Sequence, residues 1–277
     1  MACLAAGVAK GDKVVTSPIT FVASANAAIY CNAKPIFADI ESETINIDHQ
    51  SLESLIESTP NTKAIIPVHY AGLACNMKEI RAIANRSNSI VIEDAAHALG
   101  AKYQDGSMVG NCKYSDMTGF SFHPVKSIAA GEGGMITTNN YEIYKRLLRL
   151  RSHGINKLDD AFKSEELAYT QGIQNPWYHE MQELGYNYRI TDIQCALGQS
   201  QLKKLPSFLD RRKQLAIQYD LAFEHYDGIE PIHTSHRDIS SHHLYVLRIN
   251  YASFGTSRAR LMNALKEEQI LTQVHYL

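Results

Sequence analysis

One lysine in this sequence has the surroundings of a nucleophile. Lys126 lies in Gly119–Gly134, GFSFHPVKSIAAGEGG, between a short apolar run and a glycine-rich turn. An amine that attacks a carbonyl carbon must be held rigidly and must lose its proton part of the time, and desolvation or a cationic neighbour lowers its pKa. Pro124 restricts the backbone before the lysine, and the glycines after it permit close backbone approach. The segment therefore predicts a reactive lysine, although most lysines are solvated loop residues.

The elements that must position this lysine alternate between short apolar runs and helical patterns, which is typical of parallel βαβ units. We predict strands at Val14–Thr16, Pro35–Ala38, Ala64–Val68, Ile90–Ile92, Thr118–Phe122, Met135–Thr138, His243–Ile249 and Leu271–Tyr276. We predict helices at Phe21–Tyr30, Leu52–Glu57, from a capping box of Asn76 and Glu79 to about Asn85, and at Tyr141–Arg151, Thr191–Lys204, Pro206–Glu224 and Arg258–Glu268. The stretch Asn156–Gln182 is polar and irregular, with some helix.

Composition excludes several classes of protein. Lys and Arg number 27 against 29 for Asp and Glu, so nothing favours a nucleic-acid or membrane-surface partner. No run of eighteen apolar residues is present, so we expect no membrane span. The five cysteines are widely spaced, which is typical of reduced thiols in a cytoplasmic protein. The histidines lack the spacing of metal-ligand sets, and we expect no metal site.

The lysine segment and six further motifs together resemble one family. S-F-H-x-x-K followed by G-E-G-G is similar to the cofactor-lysine segment of the pyridoxal-phosphate-dependent nucleotide-sugar aminotransferases, the DegT/DnrJ/EryC1/StrS type. The likeness extends from end to end of the chain, through TSPITFVASANA (16–27), AIIPVHYAG (64–72), VIEDAAHALG (91–100), RSHG (151–154), GYNYRITDIQCALGQSQLKKL (185–205) and TQVHY (272–276).

This resemblance implies an α/β fold of the aspartate-aminotransferase type, known as pyridoxal-phosphate fold type I. Residues 1–205 would form the large cofactor-binding domain, a mostly parallel sheet flanked by helices. Residues 206–277 would form a connecting helix and part of a small α+β C-terminal domain. Family members extend beyond both ends of the matching region, so we expect this chain to be a fragment truncated at both ends.

The resemblance also implies a reaction. Within the family, the likeness is nearest to members that aminate C4 of a UDP-linked 4-keto-6-deoxy-N-acetylhexosamine, with glutamate as amino donor, in the biosynthesis of pseudaminic acid and related cell-surface sugars such as those on flagellin. Amination of another keto sugar remains an alternative, as does a non-catalytic remnant that binds no cofactor. Dehydratases that resemble this family carry histidine in place of the lysine, so Lys126 argues against that activity.

By resemblance, four further residues would hold pyridoxal phosphate. The carboxylate of Asp94 would keep the pyridine nitrogen protonated, so that the ring can take up electrons from the substrate carbon. His97 would lie near the ring or its phenolic oxygen, Phe21 would stack on the ring, and Ser121 would bind the phosphate or the sugar. The alternatives are a helix N-cap for Asp94, a satisfied core histidine, a core phenylalanine and a serine satisfied by backbone. Glu93 should point away from Asp94, since side chains alternate along a strand.

Two further positions imply a shared site and a sugar contact. Asn187 matches an asparagine that reaches the cofactor of the opposite subunit, which implies a symmetric homodimer; its alternative is a plain turn residue. Gln273, Val274, His275 and Tyr276 resemble a strand that contacts the sugar substrate. Without the resemblance, these four residues indicate only an alternating strand.

Overall fold

The structure, a computed structural model, describes residues 1–156 and 161–276 and is organised around a six-stranded sheet. The strands lie in the order β2-β1-β3-β4-β5-β6, of which the first five are parallel and β6 is antiparallel to β5. Their bounds are β1 Lys13–Thr16, β2 Lys34–Phe37, β3 Thr62–Ile66, β4 Ile90–Asp94, β5 Met117–Ser121 and β6 Gly134–Thr137. The predicted α/β class with a mostly parallel sheet is confirmed.

Helices connect and cover these strands, with shorter elements after them. The helices are α1 Ala2–Ala5, α2 Ala23–Ile29, α3 His49–Glu57, α4 Met77–Ser87, α5 Tyr141–Arg151, α6 Glu165–Ala168, α7 Asp192–Leu202, α8 Leu205–Phe223 and α9 Arg258–Glu267. Short antiparallel pairs join β7 Ile155–Asn156 to β10 Glu180–Met181, β8 Tyr169–Thr170 to β9 Ile173–Gln174, and β11 Ile229–Pro231 to β12 Leu247–Ile249. No helix in the described ranges is long and apolar enough to cross a membrane.

Two hydrophobic layers cover the two faces of the sheet. Strand side chains alternate, so Val15 and Ile65 pack with α3 and α4 on one face, while Val14 and Ile66 pack with α1, α2 and α5 on the other. Val14 and Val15 of β1 and Ala64–Ile66 of β3 form apolar runs, as expected of central strands that are buried on both faces. The helices thus hold the sheet rigidly and leave the carboxyl ends of β4 and β5 to carry polar side chains.

The C-terminal elements differ from their predicted bounds. The predicted strand Leu271–Tyr276 is wrong, because the segment has no ladder partner and no regular structure. The strand predicted from His243 begins only at Leu247, because the residues before it bond to the 3₁₀ turn Tyr70–Gly72 instead; Leu244 donates its N–H to the Ala71 carbonyl at 3.2 Å. Local alternation could not reveal that a distant turn takes these backbone groups.

Three other local predictions fail or fall outside the described residues. Asn76 precedes α4 but makes no side-chain cap, so the predicted capping box is absent. The residues after Asp94 form turns rather than a helix, which removes the N-cap alternative for that aspartate. The irregular stretch beginning at Asn156 contains α6 and short strands, and its positions 157–160 lie outside the described residues.

Candidate active site

Lys126 lies just beyond the carboxyl end of β5, in a tight turn. Its N–H donates to the carbonyl of His123 at 2.9 Å, which closes a turn with Pro124 at the second position, where proline is favoured. The side chain is half-buried. Burial lowers the pKa of the Lys126 amine, against the opposing effect of the Asp94 carboxylate, so the net direction is downward. The pKa shift expected of a reactive lysine is therefore present, with desolvation as its cause.

Asp94 ends β4, the strand that pairs with β5. Its backbone lies opposite Gly119, and its carboxylate accepts hydrogen bonds from Ser24 Oγ at 2.6 Å and from the Ala96 N–H at 3.1 Å. A carboxylate held by two donors at the end of a parallel strand is fixed in direction. The lysine and the aspartate therefore lie at the same edge of the sheet and within electrostatic range of each other.

Ser24 is a residue of this site that the sequence did not reveal. It lies on α2, where its hydroxyl also shares a hydrogen bond with Thr20 at 2.8 Å. The spacing of Thr20 and Ser24 is the i, i+4 spacing of a helix face, which is common on any helix. No local signal linked this face to Asp94, because the two segments meet only in the folded sheet.

Glu93 points to the opposite face from Asp94, as strand alternation predicted. It is fully buried and accepts hydrogen bonds from His69 Nε2 at 2.7 Å, from the Tyr103 hydroxyl at 2.8 Å, from Thr118 at 2.8 Å and from Ser115. Burial alone would raise the pKa of Glu93, yet these donors hold it below its usual range. The result is a buried carboxylate near the end of β4 that ties this strand to the start of β5 and to the segment after β3.

The same network fixes the orientation of His69. Its Nδ1 lies 3.2 Å from the backbone nitrogen of Cys75 and its Nε2 lies 2.7 Å from the Glu93 carboxylate, so both ring nitrogens have partners. Since every side chain in this network has a partner, the network is a support beneath the site and not an open binding surface.

His97 is buried, 5% exposed, and lies against other aromatic rings. Its ring centroid is 4.3 Å from that of His243 and 6.3 Å from that of Tyr276, whose hydroxyl lies 3.1 Å from His97 Nε2. Burial, then the cationic forms of His243, Lys126 and His275, lowers the pKa of His97 to about 2, so the imidazole is neutral near pH 7. Its Nδ1 has no hydrogen-bond partner among the described residues, so His97 is not the satisfied core histidine of the alternative interpretation.

Phe21 and Tyr276 belong to two segments that were predicted to contact the ligand. Both segments lie near His97, since Tyr276 contacts both His97 and Phe21. The Phe21 ring is 61% exposed, and its centroid is 6.2 Å from that of Tyr276. Tyr70 donates its hydroxyl to the carbonyl of His275 at 2.8 Å, which anchors the C-terminal segment to the 3₁₀ turn. Burial raises the pKa of Tyr276 to about 12, so its hydroxyl keeps its proton. An aromatic group of distant residues thus stands beside Lys126 and Asp94.

The remaining predicted residues are less closely gathered. Ser121 ends β5, and its hydroxyl lies 3.4 Å from the N–H of His123, which donates to it. Asn187 is exposed and forms an isolated bridge with Ser152. Gln273 is exposed and Val274 is partly buried in the same irregular segment as Tyr276. These positions remain predictions, since their ligand contacts depend on groups beyond this chain.

The sequence of this chain is similar to that of a known protein family along its whole length. The model of the DegT/DnrJ/EryC1/StrS aminotransferase family matches residues 1–277. The chain belongs to this family. Among its curated relatives, a UDP-4-amino-4,6-dideoxy-N-acetyl-beta-L-altrosamine transaminase from Campylobacter jejuni is 39% identical over 95% of this chain and 65% of its own length.

Two solved structures extend the comparison to the fold. The Helicobacter pylori PseC structure, described as an aminotransferase involved in the biosynthesis of pseudoaminic acid, is 32% identical with a TM-score of 0.85, over 100% of this chain and 70% of that one. The putative sugar aminotransferase Spr1654 of Streptococcus pneumoniae, in its pyridoxal-phosphate form, is 28% identical with a TM-score of 0.81, over 99% and 69%. The fold is that of pyridoxal-phosphate enzymes of fold type I, and the chain spans about two thirds of the length of these relatives.

Proposed function

We propose that this protein is a pyridoxal-phosphate-dependent sugar aminotransferase. The observation that carries the proposal is the position of Lys126, which is half-buried and within electrostatic range of Asp94 at the end of β4. Burial lowers the pKa of the Lys126 amine more than Asp94 raises it. An amine and a carboxylate at one sheet edge match the two ends of a pyridoxal ring, namely its carbonyl carbon and its pyridine nitrogen.

The residues present fit this cofactor. Lys126 would bind its carbonyl carbon, and Asp94, held by Ser24, would hold the proton on the ring nitrogen. Within the described ranges, His97 Nδ1 and the Ser127 hydroxyl are buried without a hydrogen-bond partner, and such groups are costly unless a ligand or water satisfies them. Pyridoxal phosphate, when bound, carries the amino group between substrates and takes up the electron pair of the breaking C–H bond.

The side chains of this chain would then have separate tasks. With its amine free, Lys126 would accept at Nζ the proton of the breaking C–H bond and donate a proton back as the amino group is transferred. The lowered pKa of Lys126 suits this role, because an amine that is always protonated cannot act as a base. Phe21 would cover one face of the ring and exclude water, while Ser121 would bind the phosphate or the sugar.

The proposed substrate is a UDP-linked 4-keto-6-deoxy-N-acetylhexosamine, with glutamate as amino donor. The names of the Campylobacter and Helicobacter relatives support this substrate and a role in pseudaminic acid biosynthesis. Gln273, Val274, His275 and Tyr276 would contact the sugar, and the position of Tyr276 beside His97 and Phe21 supports this. Another keto sugar of the same type is the second candidate.

We further propose a symmetric homodimer in the cytoplasm, with Asn187 of one subunit reaching the site of its partner. The exposure of Asn187 supports this arrangement, since a residue that serves another subunit must be available at the surface. The free cysteines, four of them buried, are typical of a reducing compartment.

Cofactor titration of the purified protein tests the proposal. We expect added pyridoxal phosphate to give the visible absorption band of a lysine-bound cofactor, and Lys126→Ala to abolish it. Lys102→Ala, at an exposed lysine, is the matched control and should keep the band. Retention of the band in Lys126→Ala would refute the assignment, and its absence in the parent would favour a chain that binds no cofactor. Release of 2-oxoglutarate from glutamate with the keto sugar then tests the substrate.

A further inference from the structure

A second buried histidine, His243, packs directly against the candidate active site. It is 9% exposed, and its ring centroid lies 4.3 Å from that of His97 with an interplanar angle of 31°. His243 belongs to the irregular segment before β12, far in sequence from the motif that contains His97. Its contact with His97 is therefore created only by the tertiary structure.

The segment around His243 is fixed by hydrogen bonds on both sides. Ser241 donates its hydroxyl to the carbonyl of His97 at 2.7 Å and its N–H to the carbonyl of Gly72 at 3.0 Å. Arg212, on α8, donates from Nη1 to the carbonyls of His242 and His243 at 3.1 and 3.2 Å. These bonds fix the backbone around His243 next to that of His97, which keeps the two rings close together.

Both imidazoles are uncharged and incompletely satisfied. Burial, then Lys126, Arg212 and His275, lowers the pKa of His243 to about 3, as burial and its cationic neighbours lower that of His97 to about 2. In the part of the chain that the structure describes, the Nδ1 atoms of both rings are buried without hydrogen-bond partners. A stacked pair that leaves ring nitrogens unpaired in this way is poor as a purely structural contact, since each unpaired nitrogen costs about 1–3 kcal/mol.

We propose that His243 is a positioning residue of the lysine site, which acts through His97 by holding its imidazole in a fixed plane and shielding it from water. The inference rests on the proposed function, because in that function a bound ligand would be the hydrogen-bond partner that His97 Nδ1 lacks among the described residues. Stacking against His243 prevents the His97 ring from rotating. By shielding His97 from water, His243 also keeps that imidazole neutral, so that no second positive charge lies near the Lys126 amine. His243 itself is not assigned a contact with substrate or cofactor.

The first test uses the cofactor-free protein labelled with ¹⁵N-histidine, in which His97 is assigned by the loss of its signals in His97→Gln. The groups that face His97 are His243, Lys126, His275 and Tyr276. We expect His97 to stay neutral to about pH 5 in the parent and in His243→Phe, which keeps a flat ring, and to titrate at least about one pH unit higher in His243→Ala, closer to the ordinary value of about 6.5.

Two outcomes of this titration contradict the proposal. One is an unchanged His97 titration in His243→Ala, and the other is an equal rise in His243→Phe, because that variant retains the cover. If His243→Ala does not fold, Ser241→Ala replaces it, since that variant removes the hydroxyl that bonds to the His97 carbonyl at 2.7 Å and to the Gly72 carbonyl at 3.4 Å. We expect a smaller shift in the same direction, and no shift would contradict the inference.

The second test is a double-mutant cycle on the affinity for pyridoxal phosphate. We expect His243→Ala to raise the Kd about tenfold, or about 1.4 kcal/mol, and to have less than about a twofold effect when His97 is already alanine. A full tenfold loss in the His97→Ala background would show that His243 acts independently and would overturn the proposal. Failure of the parent to form the Lys126-dependent band contradicts the proposed function instead, and the histidine titration still decides the role of His243.

Discussion

At the scale of single residues, the candidate site depends on how two charged groups are held. Lys126 is kept in a proline-containing turn, and burial lowers its amine pKa. Asp94 is held by Ser24 and by the backbone of Ala96. Because hydrogen bonds to a carboxylate are stronger than those between neutral groups, Ser24 should contribute to the orientation of Asp94.

Replacing Ser24 by alanine tests this support. We expect Ser24→Ala to raise the Kd for pyridoxal phosphate about three- to tenfold, because the Asp94 carboxylate loses the donor at 2.6 Å. Ser54→Ala is the matched control, since Ser54 also lies on a helix but its hydroxyl bonds only to the local carbonyl of Gln50. The measurement is an absorbance titration with cofactor, and equal affinities for Ser24→Ala and the parent would contradict the role of Ser24.

At the scale of elements, the site is built where strands end and a distant segment docks. The Glu93 network joins the carboxyl end of β4 to His69, which follows β3, to Ser115 and Thr118 at the start of β5, and to Tyr103. On the other side of the site, the segment from Ser241 to Leu244 bonds to the 3₁₀ turn Tyr70–Gly72. Asp94 thus lies at the end of β4 and Lys126 in the turn after β5, while the docked segment packs against His97.

The docking of this segment requires glycine at position 72. Gly72 has a φ of +103°, and a Cβ there would meet the Ser241 hydroxyl and lie 3.0 Å from the His243 nitrogen. Gly106 has a similar φ of +82°, yet a Cβ there would meet nothing within 4 Å. An alanine at either position would adopt an unfavourable backbone conformation, but only an alanine at position 72 would also clash with the docked segment. Comparing the two substitutions therefore separates these two costs.

We expect Gly106→Ala to lower the free energy of unfolding by about 1–2 kcal/mol, the cost of a left-handed backbone for a residue with a side chain. Gly72→Ala should cost about 1–3 kcal/mol more, because it also overpacks the contact with the docked segment. Urea denaturation of both variants and the parent measures the difference. Equal losses in the two variants would show that the docked segment is not tightly packed against the turn.

At the scale of the whole molecule, buried neutral histidines couple stability to pH. Burial lowers the pKa of His97 to about 2, of His243 to about 3 and of His233 to about 4. In the unfolded chain, each imidazole binds a proton near pH 6.5. Between these values the unfolded state holds more protons than the folded state, so the stabilisation from these three histidines is complete above about pH 6.5 and is lost as the pH falls.

The free energy of unfolding should therefore decline by as much as about 4 kcal/mol per pH unit near pH 5, or about 1.4 for each of the three histidines. Urea denaturation at about pH 7, 6 and 5 measures this slope. His233→Asn should reduce the slope by about one third, whereas His225→Asn, at a histidine whose side chain is 87% exposed, should leave it unchanged. An identical slope in His233→Asn and the parent would contradict the assignment of a buried neutral imidazole.

The amino-acid sequence by itself determined the family, the parallel sheet and the two charged residues of the site. These features are encoded locally: apolar runs alternate with helical patterns, Lys126 lies in a long motif, and Asp94 ends an apolar strand. Strand alternation also separated Glu93 from Asp94, because the side-chain period of two needs no knowledge of the partners.

Only the tertiary structure decided which distant groups complete the site. Ser24 reaches Asp94, His243 covers His97, and Tyr276 joins Phe21 although its segment is not the predicted strand. No short-range pattern marks such pairs, because they depend on which loops meet at the sheet edge. The sequence therefore predicts the candidate lysine and aspartate, while the folded chain sets their surroundings and lowers the pKa of Lys126.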